Sequence, residues 1–99
     1  MVYTIDELRR KLHPIFRAAP VYKAILFGSY AKGEAEESSD VDIYLDSHGE
    51  LRGFDFCGVL EDMVVALDKE VDLLDARAIR QGTRIESDIF EGGVMLYER

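Results

Sequence analysis

The chain has 99 residues, 47% of them hydrophobic and 10% aromatic, which is enough for one core and too little for two, so a large multidomain enzyme is excluded. Twelve basic residues against twenty acidic ones leave a net charge of −8, whose field repels phosphate backbones and sets direct nucleic-acid binding aside, while a local cation or helix N-terminus leaves small anions open. The single cysteine, Cys57, excludes an internal disulfide, and one cysteine with two histidines is too few for a structural zinc site.

In chain order, Thr4-Ile5-Asp6-Glu7 reads as a capping box, and Ile5, Leu8, Leu12, Ile15 and Phe16 recur at helical spacing, so a first helix is expected to about Ala19. Pro14 is expected to bend or restart it near His13. Val21 to Phe27 is a short apolar run suited to a strand buried on both faces, ended by Gly28-Ser29. A polar, flexible segment from Ala31 to Ser39 leads into a second strand, Val41 to Leu45, and then a loop from Asp46 to Gly53. Phe54 to Leu67 reads as a helix with Cys57, Leu60, Val64 and Leu67 on one stripe, widened by Phe56, Val59 and Met63. Glu70 to Leu74 is a third strand. Ile79, Ile85, Ile89 and Phe90 fit a last amphipathic helix stopped by Gly92-Gly93, before a final strand from Val94 to Tyr97. This order indicates a single α+β domain over residues 1–99, a mixed sheet of about four strands flanked by helices. No apolar run reaches the length of a membrane span and the N-terminus lacks the pattern of a signal peptide, so the expectation is a soluble, cytoplasmic protein with no membrane partner.

The chemistry concentrates between Gly28 and Asp42. Glycine and serine at the end of a buried strand can open a short helix whose free N–H groups and Ser29 hydroxyl cradle a phosphate; taken alone, the pair reads first as an ordinary turn with Ser29 as N-cap. Asp40 and Asp42, two apart at the start of a strand, project from one face, where like charges raise one another's pKa unless a cation sits between them. Such a pair suits Mg2+ shared with substrate phosphates; taken alone, a bare Asp-x-Asp reads first as acids facing water at a strand edge. Asp72 adds weight, because an acid between Val71 and Leu73 in an apolar strand is costly unless it is used. Were that strand to lie beside Val41 to Leu45, all three acids would converge. Asp75 reads as an N-cap for the following helix.

Gly28-Ser29, ten residues, Asp40-Val41-Asp42 and a later hydrophobic-Asp-hydrophobic strand at Asp72 resemble the signature of the DNA polymerase β-type nucleotidyltransferase superfamily. The wording FGSYAKGEAEESSDVDIYLD, VDLLD and the terminal GGVMLYE is most similar to the minimal nucleotidyltransferases, or MNT proteins. The resemblance runs from about Val21 to Tyr97. It implies a nucleotidyltransferase fold, a nucleoside triphosphate with ATP as the substrate, two Mg2+ ions, and nucleotidyl transfer with release of pyrophosphate. By position it implies Gly28 and Ser29 on the triphosphate, with Asp40, Asp42 and Asp72 as metal ligands and catalytic groups, Asp72 also as general base. Lys32 stands where such proteins often carry a base that neutralises phosphate; as a residue it reads equally as a solvated surface lysine.

No acceptor-gripping domain fits in 99 residues. The MNT resemblance supplies the acceptor from outside: an antitoxin that moves AMP from ATP to a tyrosine of a small helical HEPN ribonuclease toxin. Two other readings stand beside it, a non-catalytic antitoxin that masks the toxin and an enzyme acting on a small hydroxyl compound. Elsewhere, Cys57 is expected in the core, His13 and His48 in surface or capping roles, Tyr30 in packing, and Tyr44 on the face of Asp42. Most apolar positions of the last two helices, Met63 and Phe90 among them, are expected in the core, with some left over for a partner surface.

Overall fold

The computed structural model describes residues 2–99. Helix α1 spans Ile5–Ala18, strand β1 Lys23–Phe27, helix α2 Gly28–Lys32, strand β2 Val41–Asp46, helix α3 Gly53–Leu67, strand β3 Val71–Asp75, helix α4 Arg84–Phe90 and strand β4 Val94–Glu98. One turn of 3-10 helix, Ala76–Ala78, follows β3. The capping box forms as the sequence suggests: Glu7 N–H donates to Thr4 Oγ1 at 3.1 Å and Thr4 N–H to Glu7 Oε1 at 2.8 Å, satisfying two of the orphan donors of α1. Helix α1 runs continuously through Pro14 and does not restart near His13. Pro14 and Arg10, whose carbonyl loses its helical partner, both lie on the exposed side, where water replaces the bond, while Leu8, Leu12 and Phe16 hold the other side in the core.

The four strands form one mixed sheet in the order β3-β2-β1-β4, antiparallel except for the β2–β3 pair, which α3 joins as a crossover. Such a parallel pair cannot be joined by a hairpin, and the long amphipathic segment after β2 serves as the connection. Helices α1 and α3 cover one face, packing Leu8, Leu12, Phe16, Met63 and Leu67 against Leu26, Val41, Ile43 and Leu45. The other face carries Ile25 and Tyr44 under Ile89 of α4. Burial of consecutive residues Ala24, Ile25 and Leu26 is therefore what a strand covered on both sides requires.

Two expectations need correction. Cys57 is exposed, because α3 rests on the sheet through Val59, Met63 and Leu67, with Phe56 and Leu60 beside them, and turns the Cys57 side to solvent. The last helix is also shorter than the sequence suggested: Gly82 adopts φ +77 and Thr83 caps a new start, its hydroxyl accepting from Glu86 N–H at 3.3 Å, so Ile79 lies outside α4. Within it Ile89 is buried, whereas Ile85 and Phe90 are half exposed. Met63 and Tyr30 are in the core as expected. His13 is exposed, edge-on to Tyr97 at 5.7 Å, and His48 is exposed and stacked on Tyr22 at 3.8 Å.

Candidate active site

The register of the sheet decides what meets what. Phe27, the last residue of β1, pairs with Asp42 of β2, and Asp42 pairs with Asp72 of β3. The end of β1 and the starts of β2 and β3 thus come abreast, with neighbouring strands about 4.8 Å apart. Val41 and Ile43 point into the core under α1 and α3, so alternation turns Asp42, and Asp72 in register with it, to the opposite face. Tyr44 and Leu74 continue that face one step along, and the Tyr44 ring meets Phe90 edge-on at 5.2 Å, as expected for a residue that shapes the same face.

Asp40 stands just before β2. The segment that delivers it is an ordered turn rather than a loose tether: Glu36 N–H donates to Ser39 Oγ at 2.8 Å and Ser39 N–H to Glu36 O at 3.0 Å. Lys69 Nζ donates to Glu37 O at 2.6 Å, and Val41 N–H to Glu70 O at 3.1 Å, fastening the turn to the start of β3. Lys69 has no signal in the sequence that marks it for this task, since the bond joins residues 32 apart.

Asp42 is half-buried, while Asp40 and Asp72 are exposed at an open edge. Burial first, then the charges of Asp72 and Asp40, push the Asp42 carboxyl up to about 6. Both neighbours act on this one carboxyl, so the three acids form a group centred on Asp42. Among the described residues none of the three has an ion pair or hydrogen bond to a cation. Nor do any three His, Cys, Asp or Glu side chains among the described residues form a ready-made metal cage. Mg2+ needs no such cage: it takes one or two carboxylates and fills its remaining positions with water and substrate phosphate, a demand that one or two of these hard oxygen donors would meet.

Gly28 sits against this group. Its φ is +72, and a Cβ built on it would overlap Asp42 Oδ2, so the backbone turn that opens α2 touches the central carboxylate at a place only glycine can occupy. The N-cap of α2 is Phe27, which provides no side-chain acceptor for the first N–H groups of the helix. Ser29 is half-buried at the first turn, and its carbonyl accepts from Glu34 N–H at 2.9 Å. Of the two readings the sequence offered, the helix opened by Gly28-Ser29 is the one that forms; Ser29 is not its cap, since the N-cap is Phe27. Tyr30 anchors α2 in the core, and Gly33, at φ +73, ends it. Lys32 is exposed at the last turn and is not among the charges that act on Asp42. Asp75 accepts from Arg77 N–H at 2.9 Å, the capping role expected of it.

The profile of the family described as polymerase beta, nucleotidyltransferase, matches residues 10–99. A Methanocaldococcus jannaschii protein named for protein adenylyltransferase activity is 36% identical over 75 residues, covering 76% of this chain and 81% of its own. Among solved structures, a chain of a toxin–antitoxin structure with AMP-PNP superposes with a TM-score of 0.77 at 26% identity, covering 92% of this chain and 73% of that one. A chain of a Shewanella oneidensis complex, a tri-AMPylated HEPN toxin with its MNT antitoxin, shares the fold at a TM-score of 0.72 and 22% identity, covering 97% and 74%. This chain therefore belongs to the polymerase beta nucleotidyltransferase family. Within it, the chain is an enzyme of the nucleotidyltransferase class, with a protein named for protein adenylyltransferase activity among its relatives. No helix among the described residues is long and apolar enough to cross a membrane.

Proposed function

We propose that this chain transfers AMP from ATP to a tyrosine hydroxyl of a small helical toxin partner and so acts as its antitoxin. The observation that carries the reading is the register Phe27–Asp42–Asp72, which sets a glycine turn and three coupled carboxylates side by side. The relative solved with AMP-PNP in a toxin–antitoxin structure supports both the nucleotide and the kind of partner.

Asp40, Asp42 and Asp72 would hold Mg2+, which when bound neutralises phosphate charge and the leaving pyrophosphate. The Gly28 turn and the uncapped N–H groups of α2 receive triphosphate oxygens, with the Ser29 hydroxyl beside them and Lys32 as an outer point charge. Asp72, at the exposed edge strand, accepts the proton of the incoming hydroxyl. The hydroxyl oxygen then bonds the α-phosphorus, the bond from that phosphorus to the bridging oxygen breaks, and pyrophosphate leaves with the electron pair. Catalysis comes mainly from positioning and charge neutralisation.

The test is the intact mass of both proteins after incubating this chain with whatever small helical protein is encoded beside it, Mg2+ and ATP. The expected result is a partner heavier by AMP, with Asp42→Asn lowering the rate by at least about a thousandfold, because the acids act as a unit. Unchanged masses in a stable complex would instead favour masking of the toxin, and turnover on a small hydroxyl compound without a partner would favour the third reading.

A further inference from the structure

The end of the molecule away from the acids carries a surface the transfer reaction does not use. Where α1 ends and α3 begins, a groove of about 400 Å³ runs between them, its apolar lining including Ile15, Ala18, Leu51 and Val59. Phe54, in the first turn of α3, lines this groove with 95% of its surface exposed. Bare aromatic rings beside a pocket are typical anchors for a partner. One turn on, Gly58 has no side chain, and a Cβ built there would meet nothing within 4 Å, so another backbone has room to approach α3 closely. Val65, 74% exposed and three helical turns beyond Phe54, extends the same outward side. The charged residues lining the groove are Glu50, Asp55 and Asp62; no lining residue among those described is basic.

We propose that this groove is a docking site for a helix of the partner protein that presents a large apolar side chain flanked by lysine or arginine. The apolar lining takes the side chain, and the acidic rim takes the cations, which sets orientation and encounter rate. A second copy of this chain is a poor occupant, since it would bring the same acidic rim, on a chain of net charge −8, against its like. The groove is reached from the far end of β2 and lies on the α1–α3 side, whereas Asp42 and Asp72 stand at the starts of their strands on the opposite face. The length of β2, about 17 Å, separates the two ends. A helix held in the groove therefore leaves the acids free for an acceptor tyrosine on another segment or another copy of the partner. The proposal rests on the partner reading above and adds where that partner is held.

The experiment measures affinity by titration calorimetry between this chain and whatever small helical protein is encoded beside it. Phe54→Ser and Asp62→Lys are expected to weaken binding at least tenfold each, with thermal melting and Mg2+–AMP-PNP binding unchanged. Asp42→Asn is expected to bind the partner as the unaltered chain does. Unchanged affinity in both groove variants would overturn the groove while leaving the transfer reading intact. Absence of any complex with the unaltered chain would overturn the partner reading and the groove with it.

Discussion

Asp42 lies at the centre of the candidate site, paired with Phe27 on one side and Asp72 on the other, and its titration reports that environment. Its folded pKa, about 6, lies above the model-peptide value of 3.8, so the folded chain holds this proton more tightly than the unfolded one. The contribution of this group to stability is then fullest below about pH 4 and is lost as pH rises through about 6. In the proposed function Mg2+ would bind the deprotonated form and compete with the proton, so the carboxyl midpoint read by 13C NMR should stand near 6 without Mg2+ and move down with it. Asp72→Asn should also lower the midpoint by removing one of the two repelling charges. A midpoint near 3.8 that neither change moves would contradict the coupling. Gly28→Ala should cost about 1 kcal/mol or more in thermal unfolding, since φ +72 strains any side chain there, and should weaken Mg2+–AMP-PNP binding by displacing Asp42. The three acids and Gly28-Ser29 were legible in the sequence as spacing. The touch of Gly28 on Asp42 was not, because only the β1–β2 register brings residues 14 apart together.

At the level of elements, periodicity identified type and order better than orientation. Helix α3 carries apolar residues around most of its circumference, from Phe54 and Phe56 through Cys57, Val59 and Leu60 to Val65, so the sequence admits more than one buried stripe. Packing against Leu26, Ile43 and Leu45 decides the roll in favour of Val59, Met63 and Leu67. The consequence is measurable in unfolding experiments: Phe16→Ala, at a side chain 1% exposed, should cost about 3–5 kcal/mol, while Cys57→Ser should change stability by less than about 0.5 kcal/mol. A large loss at Cys57 would mean that α3 packs by its other side. The shortened α4 has a similar cause, since Gly82 and Thr83 form a start signal that lies inside the hydrophobic period and overrides it.

Across the whole molecule, the sheet order β3-β2-β1-β4 assembles the candidate site, and this is the step that sequence left conditional: the acids converge because β3 pairs with β2, and the Gly28 turn joins them because β1 lies on the other side. A net charge of −8 with three acids at one edge opposes a bare triphosphate, so nucleotide affinity should depend on the metal. The most direct measurement is an amide NMR titration of this chain and its Asp42→Asn variant with AMP-PNP, with and without Mg2+. The account predicts saturable shifts at Gly28, Ser29, Asp42 and Asp72 only when Mg2+ is present, abolished in Asp42→Asn. Shifts that ignore Mg2+, survive Asp42→Asn, or centre elsewhere in the chain would contradict it.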